Sequence, residues 1–75
     1  MQPYKNLSGN SGVRAWETGE DHILVWFLGK EEPYRYSYAK AGKRHVNRMK
    51  TLALKGVGLS TYISRFTREL FDEGP

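Results

Sequence analysis

The chain has 75 residues, no cysteine and a net charge of +4. A chain of this length makes one small domain, which buries only about 60% of the surface that its unfolded form exposes. The lack of cysteine excludes disulfides and thiolate metal sites and argues against a small secreted scaffold. The longest apolar run, residues 23–28, is far shorter than the roughly 20 residues that span a bilayer. We therefore expect a cytoplasmic protein that has no membrane partner.

The basic charge is segregated along the chain. Residues 33–68 contain nine lysines and arginines and no aspartate or glutamate, whereas residues 1–32 carry more acidic than basic side chains. Segments of one-sided basic charge are typical of surfaces that meet nucleic acid. The distribution therefore indicates the C-terminal half of the chain as the place where a polyanion would bind.

The N-terminal half predicts a flexible arm and two strands. Residues 1–12 are rich in proline, asparagine, serine and glycine, which favour turns and bury little, so we expect a flexible N-terminal arm. Residues 13–18 alternate in character, as a half-buried strand does. Residues 22–28 are β-branched, aromatic or aliphatic on both faces and predict the central strand.

The third predicted strand, residues 34–38, carries a tyrosine at every second position. Side chains of a strand alternate between its two faces, so Tyr34, Tyr36 and Tyr38 project to one side. We expect that side to be covered by the rest of the chain. The aromatic rings then become core residues.

Two helices are predicted after the strands. Apolar residues recur at helical spacing over residues 41–55 and again over residues 59–70. Gly56 suits the left-handed residue that ends many helices, and Ser60 suits a helix N-cap. Residues 72–75 are expected to be a frayed C-terminus.

This order of elements predicts an α+β fold, a three-stranded antiparallel β-meander followed by two α-helices packed on one face. Residues 13–71 would form the single domain. The expected core combines the inward positions of the strands with the apolar stripes of the helices. Its members are Val25, Phe27, Tyr36, Val46, Met49, Ile63 and Phe66.

The central Tyr34-Arg35-Tyr36, with an alternating strand and a glycine-containing turn before it, resembles the KTSC domain. The resemblance covers residues 11–68, and Tyr34 and Tyr36 match the family's Tyr-x-Tyr motif. Residues 56–66 depart from the Asn/Lys-rich ending of many members, as a divergent branch would. The family is a small module found at the C-terminus of some lysyl-tRNA synthetases and alone in small bacterial proteins. RNA binding has been proposed for it, so the resemblance implies an α+β fold and RNA as a candidate partner.

The candidate nucleic-acid surface consists of basic residues in and around the first predicted helix. Its members are Lys40, Lys43, Arg44, Arg48, Lys50 and Lys55. Arg35 of the third strand is a further candidate for nucleic-acid contact, and strand alternation places it on the face of the sheet opposite the tyrosines. A merely solvated helix usually mixes charges of both signs at spacings of three and four residues. The lack of any acid here favours contact with phosphates, and a solvated face without a partner is the alternative.

A second candidate surface is the face of the sheet that the helices leave open. Strand alternation places Trp16 and Trp26 on it. Exposed aromatics of this kind mark a protein partner, a homodimer contact or a stacking platform for bases, and simple cross-strand packing is the remaining alternative.

No catalytic or metal-binding constellation is expected. His22 and His45 have no cysteine or carboxylate at ligand spacing, and Ser60 has the surroundings of a cap. The sequence therefore predicts a non-enzymatic binding module that needs no cofactor.

Overall fold

The structure, a computed structural model, describes residues 1–72 as one sheet followed by helices. In chain order the elements are β1 (Gln2–Pro3), β2 (Val13–Thr18), β3 (His22–Phe27), β4 (Tyr34–Ser37), α1 (Lys43–Lys55), α2 (Leu59–Tyr62) and a π-helical turn (Ile63–Thr67). The four strands are antiparallel and lie in the order β1-β2-β3-β4. The α+β class is confirmed, with β1 added to the three expected strands.

The core lies between the sheet and the helices. Ile23 and Val25 of β3 are fully buried, as are Val46 and Met49 of α1, and Tyr36 of β4 is 1% exposed. Inward positions therefore recur with period two on the strands and with the helical period on α1. Five expected core residues belong to the buried cluster, namely Val25, Tyr36, Val46, Met49 and Ile63, and Phe27 packs against it while partly buried.

The second helix does not continue as an α-helix. It changes after Tyr62 into the π-helical turn, whose i→i+5 hydrogen bonds place more residues in each turn. Side chains after Ile63 are consequently rotated from their α-helical directions. Thr67 is fully buried, and Phe66 is 54% exposed. The prediction that Phe66 belongs to the core is wrong for this reason.

A β-bulge in β2 changes which side chains face the helices. Val13 pairs with Phe27. Two residues later, Ala15 pairs with Trp26, only one position back along β3. Arg14 is therefore an extra residue, and an extra residue inverts the inside–outside alternation for the rest of the strand.

Trp16 faces the helices because of this bulge. It pairs with the fully buried Val25 and packs against the core. Trp26 follows Val25 in β3 and points to the opposite face of the sheet. Both indoles are partly buried. The prediction that Trp16 and Trp26 share one open face is wrong, because it assumed an uninterrupted strand.

The N-terminal segment, expected to be a flexible arm, is built into the fold. β1 pairs with β2, and Tyr4 is 7% exposed within the core cluster. The amide of Leu7 donates a hydrogen bond of 2.8 Å to the carbonyl oxygen of Gly56. Sequence composition missed this because the anchor is a single aromatic ring among turn-forming residues.

The bend between the two helices depends on glycine. Gly56 has φ 79°, the left-handed conformation predicted for it, and Gly58 has φ 85°. Gly58, and not Ser60, is the N-cap of α2. No side chain of α2 caps the helix locally, and the amide of Leu59 donates to the hydroxyl of Tyr4 over 3.3 Å.

Asp72 is also held in place, in contrast to the expected frayed end. Its amide donates to the carbonyl oxygen of Arg35 over 2.7 Å, and its carboxylate accepts hydrogen bonds from Arg35 Nε (2.9 Å) and Ser37 Oγ (2.7 Å). The preceding Phe71 packs its ring edge-on against Tyr34, with centroids 4.8 Å apart. The remainder of the predicted frayed segment, residues 73–75, lies outside the described residues.

Replacing Gly56 by alanine should destabilise the protein more than replacing Gly9 does. Both glycines have a positive φ, but an added Cβ meets nothing within 4 Å at Gly9 and comes 2.5 Å from Lys5 Cβ at Gly56. The backbone strain that both variants share costs about 1 to 2 kcal/mol. The loss in free energy of unfolding should therefore be larger for Gly56→Ala than for Gly9→Ala, by the cost of displacing the N-terminal segment. Urea unfolding of both variants measures the difference. Equal destabilisation would show that the segment does not pack against the bend.

Stability should fall in alkaline solution because Tyr36 is buried. Desolvation, with a smaller contribution from Tyr34, raises the pKa of Tyr36 to about 12. A tyrosine in the unfolded chain ionises at about pH 10. Between about pH 10 and 12 the unfolded chain therefore binds fewer protons than the folded protein, and the free energy of unfolding falls by up to about 3 kcal/mol. Urea unfolding as a function of pH measures this. Tyr36→Phe should flatten the decline, and an unchanged decline would contradict the assignment.

Candidate nucleic-acid interface

α1 has one buried stripe, and three of its basic residues lie on the exposed side of the helix. The buried stripe consists of Val46, Met49, Leu52 and Ala53. Arg44, Arg48 and Lys55 are exposed, and the helical period of 3.6 residues places all three within about 40° of one another around the axis. We call these three residues the basic flank. Arg48 lies about 6 Å along the axis from Arg44, and Lys55 lies about 10 Å further.

The basic flank is not neutralised by the rest of the described chain. No carboxylate of residues 1–72 lies within 4.0 Å of the charged nitrogens of Arg44, Arg48 or Lys55. The first turn of α1 contains no acidic residue, and Lys43 and Arg44 stand there at the positive end of the helix dipole. Cations at that end destabilise a helix by about 0.3 to 1 kcal/mol each.

Two of the predicted basic residues turn toward the sheet. Lys50 Nζ donates a hydrogen bond of 2.9 Å to the carbonyl oxygen of Gly19 and lies 5.4 Å from the centroid of the Tyr38 ring. Lys43 Nζ lies 6.0 Å from the same ring. These two side chains make intramolecular contacts, so they support the surface less directly than the basic flank does.

Arg35 does not belong to the basic surface. Its neighbours Tyr34 and Tyr36 face the helices, so Arg35 points to the other side of the sheet, where it pairs with Asp72. Strand alternation predicts this side for Arg35, and the strand separates it from α1, so Arg35 does not extend the basic surface of the helix. Lys40 is exposed in the connection between β4 and α1.

An aromatic cluster lies beside the basic flank. It consists of His45 of α1 with Tyr62 and Phe66. His45 Nδ1 and the hydroxyl of Tyr62 are 2.7 Å apart in a hydrogen bond. The His45 and Phe66 rings are stacked with an interplanar angle of 25° and centroids 6.1 Å apart, and the Tyr62 and Phe66 centroids are 4.8 Å apart. Sequence reasoning missed this cluster, because the spacing of Tyr62 and Phe66 indicates a buried stripe when α-helical geometry is assumed.

Phe66 also borders a surface hollow. The hollow has a volume of about 350 Å³ and is lined by Arg65, Phe66, Arg68, Glu69 and Leu70. Both arginines and Glu69 are exposed. Phe66 therefore contacts His45, which is next to the basic flank, and also lines a hollow whose walls include two arginines.

The open face of the sheet has a different character. Leu24 and Trp26 are partly buried there, and Asp21 contacts both His22 and Arg35 at 3.1 and 3.9 Å. The hydrogen bond from His22 is the main cause that lowers the pKa of the Asp21 carboxyl. Because Trp16 lies on the other side of the sheet, the two tryptophans do not form one interface.

No helix within residues 1–72 has the length and apolar character that crossing a membrane requires. Over the same part of the chain, no three histidine, cysteine, aspartate or glutamate side chains come together as a metal site would need.

Comparisons with protein-family models, curated proteins and solved structures found no match to this chain.

The burial of Thr67 in the π-helical turn can be tested by substitution. This side chain is fully buried, and its Oγ1 has no hydrogen-bond partner among the described residues. An unpaired buried hydroxyl costs about 1 to 3 kcal/mol, so Thr67→Val, which keeps the shape, should raise the unfolding free energy by about 1 kcal/mol. Thermal and urea unfolding measure this change. Destabilisation by valine would show that the hydroxyl has a partner and would contradict the burial of Thr67 in this turn.

Proposed function

We propose that this protein is a small non-enzymatic module that binds nucleic acid, RNA above all, through the basic flank of α1. The observation that carries the proposal is the arrangement of Arg44, Arg48 and Lys55. All three are exposed on one side of a helix, and no carboxylate of residues 1–72 neutralises them. Such a surface matches a row of phosphates.

The start of α1 supports the same function on energetic grounds. Lys43 and Arg44 stand in a first turn that has no acidic residue and no side-chain cap, so this end of the helix is less stable than it could be. Residues kept at a local cost to stability are commonly functional. A polyanion bound across this turn would offset the repulsion between these two cations and the positive end of the helix dipole.

Binding through the basic flank would be largely tolerant of sequence. Phosphate contacts position a protein on nucleic acid but carry no base information. The resemblance to the KTSC domain agrees with RNA as the partner, since RNA binding has been proposed for that family. We therefore expect affinity to depend strongly on salt and weakly on sequence.

The alternative of a protein contact through a tryptophan-bearing sheet face is less favoured. That alternative rested on Trp16 and Trp26 acting together, and they lie on opposite sides of the sheet. Association with another protein or a second copy would be governed by apolar area and would respond little to salt. Salt dependence therefore separates the two functions.

Charge reversal on the basic flank tests the proposal. Arg48→Glu should weaken binding to unrelated RNA sequences by a similar factor and should reduce the slope of log K against log salt by about one unit for each phosphate that the variant no longer neutralises. Fluorescence anisotropy with labelled oligonucleotides at several salt concentrations measures both quantities. The helix should persist, because Arg48 is exposed and glutamate is a good helix former.

Lys30→Glu is the matched control, because it makes the same change of net charge at an exposed residue between β3 and β4. It should leave the salt slope unchanged. If Arg48→Glu and Lys30→Glu weaken binding equally, only the total charge of the protein matters. If the wild-type protein binds neither RNA nor DNA at low salt, the basic flank is a solvated surface and the proposed function is wrong.

A further inference from the structure

We propose that Phe66 and the hollow beside it hold an unpaired base, so that the nucleic acid bound by this protein is single-stranded. This inference rests on the proposed function and specifies its substrate class. It goes beyond phosphate contact, because it assigns a base-stacking role to a residue that contacts no phosphate.

The first support is the exposure of an aromatic ring that folding could have buried. Phe66 is 54% exposed, whereas Thr67 next to it is fully buried, and its hydroxyl has no hydrogen-bond partner within residues 1–72. The π-helical turn thus turns a large apolar ring outward and a polar side chain inward, the reverse of what core packing favours. π-Helical segments occur frequently at functional sites.

The second support is the way in which the ring is held. Phe66 stacks on His45 and contacts Tyr62, and these two partners are hydrogen-bonded to each other. A ring that is fixed before binding loses little conformational freedom when a base stacks on it. Aromatic side chains that bind unpaired bases work in this way, since every base has a π-face.

The third support is the charge around the ring. His45 is three residues before Arg48 on α1, a spacing that makes the two side chains neighbours on the helix surface. Arg65 and Arg68 line the hollow that Phe66 borders, together with Glu69. Arginines on α1 and around the hollow suit the backbone phosphates of one strand that passes Phe66.

Glu69 shows which part of a nucleotide the hollow accepts. Its carboxylate repels a phosphate, but it can accept a hydrogen bond from an N–H of a base edge. The hollow therefore suits a base, while the arginines around it suit phosphates. Bases in a duplex are stacked and paired, so only an unpaired base can enter.

The experiment compares four probes of equal length by fluorescence anisotropy: a single-stranded 12-mer of RNA, the same sequence in DNA, the RNA duplex, and an abasic strand that keeps the phosphates. Phe66→Ala should weaken binding to both single strands by about 5- to 150-fold, the range found when a base is deprived of one aromatic stacking partner. It should leave the duplex, the abasic strand and the salt slope unchanged. Phe66→Trp should restore binding to single strands.

Two controls separate stacking from folding. Leu28→Ala removes another strongly exposed apolar side chain, directly after β3, and should have no effect on any probe. Phe66→Leu keeps an apolar side chain at the same position and should still weaken binding to single strands, because it lacks a π-face. Thermal unfolding of each variant confirms that the fold is intact.

Three results would overturn the base-stacking role of Phe66 without contradicting phosphate binding by the basic flank. If Arg48→Glu weakens binding and Phe66→Ala does not, the protein binds phosphates alone. If Phe66→Ala weakens binding to the abasic strand as much as to the others, the ring acts through the structure. If the free protein self-associates and Phe66→Ala abolishes this, the ring contacts a second copy. Absence of binding to all four probes would remove the proposed function and this inference together.

Discussion

Burial of the apolar stripe of α1 against the sheet is the contact on which the rest of this protein depends. Val46 and Met49 are fully buried over Ile23, Val25 and Tyr36, and a chain of this size has no other core of comparable extent among its described residues. Only one rotation of α1 about its axis allows that contact. The same rotation directs the basic flank away from the sheet, so the direction of the positive charge is a consequence of core packing. Charge–charge attraction within the protein is not needed to explain it.

The regular spacing of apolar residues predicts most of the strands and helices and the faces of their side chains. The predictions fail where that spacing is interrupted. The spans of β2, β3, β4 and α1 follow from apolar spacings of two and 3.6 residues, and the exposure of Arg44, Arg48 and Lys55 follows from the same helical spacing. Regular spacing predicts the wrong face for both Trp16 and Phe66, for one physical reason. The bulge at Arg14 and the π-helical turn each add a residue to a regular repeat, and every later side chain in that element is displaced by one position. No residue type marks either insertion. Tyr4 was missed for a different reason, since its burial depends on long-range contacts that local composition does not report.

The basic flank and the aromatic cluster are brought together by the bend between α1 and α2. Left-handed Gly56 and Gly58 reverse the chain direction, and the N-terminal segment holds the bend through the hydroxyl of Tyr4 and the amide of Leu7. The relative position of Phe66 and Arg48 thus depends on residues at the other end of the chain. A segment whose composition predicts a flexible arm therefore contributes to the geometry of the candidate site.

The structure of the two sheet edges affects the tendency of this protein to aggregate at high concentration. Strand edges with unpaired amides and carbonyls can recruit a strand from another molecule, which leads to fibrous aggregation. Here the outermost strand on one side is only two residues long and includes Pro3, which has no amide hydrogen to donate. On the other side, Asp72 occupies part of the edge of β4 through its hydrogen bond to the carbonyl of Arg35. Polymerisation by strand addition is thereby disfavoured at both edges, and the acidic side chain of Asp72 adds a charge where an incoming strand would have to pair.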